Sequence, residues 1–440
     1  MTSSVNGSGR TAVDPVLLRW RNAVFVIFWL CGFMFASWAA RVPAVRDILD
    51  ASTSQMGLLL FGLATGAVLG LFASSHVIAR LGATPTLLLC LSTSSAGLVL
   101  IGLLASFTPS LAILFAALLA FGIGYSICDV VMNLSAAANE RQIGKTLMPM
   151  YHAAFSIGTM SGAGFGALLE HFGVPVGIHL IGVGIASLVT SRIAVRFLQP
   201  AEHPAEDAVG NQVAGDPPGA GDLPSGDQPG AAVDPMADPL SDTPSPEGWR
   251  TRLAVWRDPR IIVIGFIVLG MAFAEGSAND WLSLSMVDGY GISNAGGAAV
   301  FGIFVTAMTL GRLFGGKVLD RFGRVPVLRG TAVFAVVGLL LVILGPNVGV
   351  AIVGVVLWGL GASLGFPVGM SAAADDPKTA TASVAAVATI GYFAFLIGPP
   401  LIGFLGEQIG LLNAFWVVAV LAIIAGLCAP AAREPARSAD

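Results

Sequence analysis

An ionisable side chain inside a long apolar run costs several kcal/mol unless it is paired or faces water, so such residues are where chemistry should be sought. Three stand out: Asp129, Glu275 and His152. Helical spacing puts Tyr125, Ser126 and Asn133 on or near the face of Asp129, and His152, Ser156 and Thr159 on one stripe of the next run. Read as consecutive antiparallel spans, the two stripes bring Asp129 and His152 to similar depth. A carboxylate beside an imidazole suits proton binding near neutral pH; a static polar clamp is the plainer reading. Glu275 has no cation at its depth in its own run, so it must carry a proton or find a partner across a cavity, and Asn279 follows one turn later. Proton coupling is therefore assigned to Asp129, Glu275 and His152, and contact with a polar solute to Asn133, Ser156 and Asn279.

Arg41 closes the first run, and Asp280 lies at the matching height of the seventh, which predicts a gate across one mouth of a cavity. Snorkelling of Arg41 to headgroups is the alternative. Trp38, beside Ser37, and Tyr392 offer flat faces for a sugar-like ring, whereas Trp281 reads as an interfacial anchor. The stretch Gly316-Lys-Val-Leu-Asp320-Arg321-Phe-Gly323-Arg324 orders glycines and charges in a way that orientation signalling alone does not require. There Asp320 is expected to accept hydrogen bonds from a helix N-terminus while Arg321 and Arg324 hold acids or carbonyls, locking one face. Gly398-Pro399-Pro400 predicts a bend.

These residues need a membrane scaffold. The chain is 55% hydrophobic and 11% charged, against roughly 25% charged in soluble domains, which excludes a soluble globule. Apolar runs of about 20 residues, enough to cross ~30 Å of hydrocarbon, begin near 22, 54, 83, 109, 147 and 174, then near 260, 294, 325, 347, 379 and 410. The expectation is an all-α polytopic membrane protein with 12 transmembrane helices. Its parts are a tail (1–21), a six-helix bundle (22–197), an acidic Pro/Gly-rich linker (198–258), a second bundle (259–430) and a tail (431–440). Residues 200–248 hold ten acids, ten prolines and no Lys or Arg, leaving 16 acids against 22 bases elsewhere.

With the N-terminus inside, 20 Lys and Arg residues fall on the inner side and only Arg41 and Arg46 on the outer, which predicts both termini in the cytoplasm. No cleavable signal peptide is read. The four cysteines lie in apolar runs without Cys-x-x-Cys spacing and read as packing residues, and the five histidines lack metal spacing. No metal, cofactor or nucleic-acid partner is expected. The absence of a phosphate-binding Gly-x-x-x-x-Gly-Lys-Ser/Thr loop argues against direct use of ATP.

The halves repeat. Shifted by 241 positions, Gly70, Val77, Arg80, Gly82, Pro85 and Leu87 meet Gly311, Val318, Arg321, Gly323, Pro326 and Leu328. Phe121-Gly-Ile-Gly-Tyr-Ser126 likewise meets Trp358-Gly-Leu-Gly-Ala-Ser363. Six spans per half make the repeats parallel, related by an axis along the membrane normal, with binding sites between them. In the first copy Ala79 and Ala83 stand where the second has Asp320 and Arg324.

Six plus six parallel spans, a central linker and the loop 316–324 together resemble the major facilitator superfamily across essentially the whole chain. Ser37-Trp38-x-x-Arg41-x-Pro43, Asp129-Val-Val-Met-Asn133, Glu275-Gly-x-x-x-Asp280-Trp281 and Gly391-Tyr392-x-x-Phe395-x-x-Gly398-Pro399-Pro400 are similar to its fucose-permease-like branch of bacterial members. The resemblance implies a secondary active transporter, not an enzyme. It would be monomeric, sit in the plasma (inner) membrane, and move a small polar organic solute, a sugar being favoured, by proton-coupled alternating access. Proton-driven efflux, and a receptor on a transporter scaffold, are the competing readings.

Overall fold

The computed structural model describes residues 14–199, 254–376 and 379–434. The central part of the expected linker, the outer parts of both expected tails, Pro377 and Lys378 lie outside the described residues. The first half contains α1 (Pro15–Ala39), α2 (Val42–Leu49), α3 (Thr53–Leu81), α4 (Ala83–Phe107), α5 (Leu111–Ile143), α6 (Met148–His171) and α7 (Val176–Val195). The second contains α8 (Pro259–Ser277), a π-helical turn (Ala278–Leu282), α9 (Ser283–Tyr290), α10 (Asn294–Phe322), α11 (Arg324–Leu344), α12 (Val348–Ala362), α13 (Gly365–Ala373), α14 (Ala380–Ile409) and α15 (Leu411–Cys428). Span 1 is α1 with the short α2, span 7 joins α8 to α9 through the π turn, and span 10 is α12 with α13.

Among the described residues, eleven spans are long and apolar enough to cross a membrane. The twelfth, α6, is diluted by His152, Ser156, Thr159, Ser161 and glycines at 158, 162, 164 and 166. The architecture is the 12-span, two-bundle fold that the resemblance implied. Span 1 starts earlier than its apolar run, because Asp14 caps the helix by accepting from the Val16 N–H at 2.8 Å and Pro15 occupies the first turn, where its missing N–H costs nothing.

Packing repeats between halves. α1 lies along α6, α3 along α5 and α4 along α7; their counterparts α8 and α14, α10 and α12, and α11 and α15 pair the same way. The α1–α6 seam is close because glycines meet backbone: a Cβ on Gly158 would fall 2.0 Å from the Trp29 carbonyl, and one on Gly32 2.2 Å from that of Phe155. Two symmetry-related seams join the halves, α3 on α14 and α6 on α10. α14 keeps its helical assignment through Pro399 and Pro400, so no break occurs there. The prolines instead seat against Gly57 of α3.

Candidate functional site

α1, α4, α6, α8, α11 and α14 enter from the end of the molecule where the described chain begins and finishes, called here the terminal end; the other is the distal end. Counted from the distal ends of their helices (Leu111, His171, Asn294 and Ile409), Asp129, His152, Arg312 and Tyr392 lie 18, 19, 18 and 17 residues in. At 1.5 Å per residue these four occupy one layer. Glu275, 15 residues from Tyr290, lies close to it.

At the core of this layer Arg312 donates from Nη2 to Glu275 Oε2 at 2.8 Å and from Nε to the Ser363 carbonyl at 3.2 Å. That carbonyl sits in the break between α12 and α13. Glu275 thus finds a cation, as its position required, but on a neighbouring helix of its own half. Arg312 is one of the 20 cations that the charge asymmetry places on the inner side. It lies eleven residues before Gly323, where α10 stops, and so is well inside the span; that count was the signal that could have found it. The α6–α10 seam places His152 and Arg312 on helices of the two halves that pack on each other. His152, Arg312 and Tyr392 are exposed, Asp129 half-buried, and the Asp129 carboxylate has no hydrogen-bond or ion-pair partner among the described residues.

Other expectations are corrected. Asp129 and His152 do not pair. α5 and α6 are consecutive, but α6 packs on α1 and α5 on α3 and α4, so equal depth does not bring the side chains together; His152 instead meets the Phe28 ring edge-on, centroids 5.4 Å apart. Arg41 does not reach Asp280. It is fully buried, ion-paired with Glu170, and donates from Nε to His179 Nδ1 at 2.9 Å and from Nη2 to the Val174 carbonyl at 3.1 Å. The scattered histidines concealed this cluster, because Glu170 and His179 become neighbours only through the α6–α7 turn.

Trp38 and Trp281 are both buried, as ligand face and interfacial anchor respectively should not be: the first packs in the α1 core, and the second faces Gly403 of α14. Asn133 is buried, its Nδ2 donating to the Asp129 carbonyl at 2.9 Å. Ser156 is half-buried on the His152 helix. In and around the π turn, Glu275, Asn279 and Asp280 are half-buried while Gly276, Ser277, Ala278, Trp281 and Leu282 are buried. The turn therefore gathers three polar side chains on one face, a use for which such turns are noted.

Of the loop 316–324, Gly316, Asp320 and Arg321 are exposed. Asp320 is exposed and accepts no hydrogen bond among the described residues, contrary to expectation; Arg321 lies over the Phe322 ring at 5.4 Å. Gly323 turns the chain with φ 76°. Arg324 does grip an acid: its Nη1 donates to both oxygens of Asp375 at 2.7 and 2.9 Å, and Arg260 reaches the same carboxylate at 2.7 Å.

Polar bonds between the halves lie at the distal end. Arg46 pairs with Asp288 at 2.5 Å, Asn294 donates to Asp47 at 2.8 Å and the Ser54 N–H to Glu407 at 3.2 Å. Of the mid-layer groups, nearer the terminal end, His152, Arg312 and Tyr392 are exposed, and Asp129 and Glu275 are half-buried. A groove of about 690 Å³ along the α6–α10 seam, walled in part by Gly164, His171, Gly296 and Thr306, includes none of them.

A family model described as Major Facilitator Superfamily matches residues 23–392, and again 278–439. The chain belongs to that superfamily. It is accordingly a multi-pass membrane transporter and not an enzyme. An uncharacterised MFS-type transporter of Yersinia pestis is 29% identical over 411 residues, covering 93% of this chain and 94% of that one. An uncharacterised transporter of Sinorhizobium fredii is 26% identical over 95% and 99% of the two chains. Among solved structures, the nucleoside transporter NupG aligns over 95% of this chain and 98% of its own with a TM-score of 0.67 at 15% identity. The E. coli fucose:proton symporter FucP aligns over 93% and 98% with 0.55 at 16%. At such identities the solved structures speak for the fold, which is that of superfamily transporters.

Proposed function

We propose that this transporter moves a small polar organic solute, sugar-like in character, by alternating access, and that Asp129 couples the movement to protons. The observation that carries the reading is the mid-span layer: an acid with no cation partner, an exposed imidazole, an exposed phenol and a guanidinium–carboxylate pair, drawn from both halves at one depth. Uncompensated charge at that depth is costly, and a proton or a bound solute is what relieves it. A carboxylate held by a guanidinium is a poor proton carrier, so Glu275 moves to the solute side of the assignment and Asp129 keeps the proton. Fold likeness to a nucleoside transporter and a fucose:proton symporter supports a hydrophilic cargo.

The charge count of 20 against two gives the terminal end to the cytoplasm, with Arg41 and Arg46 outside. In that orientation the Arg46–Asp288 and Asp47–Asn294 bonds close the outer mouth while the layer faces inward. Movement of the halves about their two seams would release these bonds and expose the layer to the other side.

The test is solute accumulation in proteoliposomes under an imposed proton gradient. Asp129→Asn is expected to abolish accumulation while exchange of preloaded solute continues. Parent-like accumulation by that variant would refute the coupling role; the parent binding solute without moving it would favour a receptor.

A further inference from the structure

We infer that the Arg312–Glu275 pair is the element that reads the solute, and that it selects a neutral molecule with adjacent hydroxyl groups. The inference rests on the transport reading above and deepens it.

Arg312 is anchored on two sides, by Glu275 Oε2 on Nη2 and by the Ser363 carbonyl on Nε. Nothing among the described residues pairs with its Nη1, and nothing pairs with Glu275 Oε1. The dyad therefore leaves one donor edge and one acceptor oxygen open, on side chains that the Nη2–Oε2 and Nε–Ser363 bonds fix in place before any solute arrives. Pre-fixed geometry is what converts hydrogen bonds into affinity, since the ordering cost has been met in the fold. A hydroxyl both donates and accepts. Two on adjacent carbons can take a hydrogen bond from Nη1 with one oxygen and give one to Oε1 with the other.

Charge excludes the other classes. A carboxylate approaching Arg312 meets the Glu275 charge 2.8 Å from the same guanidinium, and Asp129 adds a further acid to the layer. An ammonium approaching Glu275 meets Arg312. A neutral polyol suffers neither repulsion, and the exposed ring of Tyr392 at the same depth gives its apolar face a surface to lie on. Arg312 is suited to this because its planar fork fixes the donor direction, which a lysine ammonium does not.

The experiment uses the full chain in lipid nanodiscs and measures binding of D-ribose, D-galactose and myo-inositol, against lactate and gluconate as carboxylates and choline as an ammonium. At least one neutral polyol should bind and the charged probes should not; removing one of its adjacent hydroxyls should weaken binding roughly 10- to 100-fold, the worth of a charge-assisted hydrogen bond. Glu275→Gln and Arg312→Lys should each lose binding by a similar factor. The exchange of positions, Glu275→Arg with Arg312→Glu, keeps an ion pair for folding but inverts donor and acceptor, so it should restore thermal stability without restoring binding. Restored binding in the exchange variant, polyol binding unchanged by Glu275→Gln, tighter binding of carboxylates or choline, or no binding of any polyol would each overturn the inference. Counterflow of the bound polyol in parent proteoliposomes separates the two claims: binding that obeys the dyad without counterflow would sink the transport reading and leave the dyad standing.

Discussion

The two copies of the repeat turn their chain in the same way and secure it by different chemistry. Gly82 joins α3 to α4 with φ 78° and ψ 163°, and Gly323 joins α10 to α11 with φ 76° and ψ 169°. Both are positive-φ conformations that side-chain-bearing residues rarely adopt, so glycine is needed in each. Around the second turn the charges converge: Arg324 and Arg260 share Asp375, Arg324 Nη2 reaches Ser371 Oγ at 3.1 Å, and the Arg324 N–H donates to Glu434 at 3.2 Å. In the first half the corresponding end has no ion pair among the described residues: Glu140 accepts from the Leu147 and Met148 N–H groups at 2.5 and 2.6 Å, and the other ties are neutral. Asn139 donates to the Leu17 carbonyl at 3.2 Å and accepts from Tyr151 Oη at 2.7 Å, while Trp20 Nε1 donates to Ser135 Oγ at 3.0 Å. Backbone shape therefore follows the duplicated glycine, whereas among the described residues guanidinium–carboxylate pairs tie this end in the second copy only.

The contrast can be broken most forcefully at Asp375. Its carboxylate is 8% exposed and serves two guanidiniums, so Asp375→Asn should strand both and lower stability by ~3 kcal/mol, toward the lower end for a broken buried pair because Arg260 retains solvent contact. Thermal or denaturant unfolding of the detergent-solubilised protein checks this. In the first half Asn139→Ala removes two neutral hydrogen bonds and should cost about 1–2 kcal/mol by the same assay. If the two losses are equal, the charged cluster adds nothing beyond what hydrogen bonds supply.

At the distal end, Arg46→Ala removes half-exposed pairs with Asp47 and Asp288. The loss should be about 0.5–1 kcal/mol, read as a severalfold increase in outside labelling of a cysteine placed at Asn279. Smallest of all is Ala83→Arg, which writes the second copy's arginine into the first. Near the place of Asp375 the first half has the neutral Asn139 and Glu140, whose carboxylate is already engaged by the Leu147 and Met148 N–H groups, so the added guanidinium should change stability by less than ~0.5 kcal/mol. A gain comparable to the Asp375 loss would show that the first copy retains a hidden acidic partner.

What was legible beforehand, and what was not, follows from the same geometry. Span positions could be read because hydrocarbon thickness fixes the length of an apolar run, and the depth of Asp129, His152, Glu275 and Tyr392 could be read by counting along helices. Direction around the helix axis, and which helix lies next to which, depend on tertiary packing. Asp129 and His152 were therefore matched in depth yet stand on helices held apart by α1. Arg41 was aimed at a partner in the other half, although the α6–α7 turn supplies Glu170 and His179 much nearer. Arg312 was hidden for a different reason: in a run of arginines and lysines, only the position of the helix-ending Gly323 distinguishes a span residue from its flanking neighbours.

The central claim is that two bundles move about a shared polar layer, so the mouths open in alternation. Its most direct test is pulsed electron–electron distance measurement on a background with the four native cysteines replaced, using spin labels at Ile48 and Ile409 for the distal mouth and at Lys145 and Phe322 for the terminal mouth. When Arg46→Ala removes the Arg46–Asp288 bond from the distal set, the population with a longer distal distance and a shorter terminal distance should grow, both together. Distances that move in the same direction, or a distal change with an unmoved terminal pair, would contradict the account.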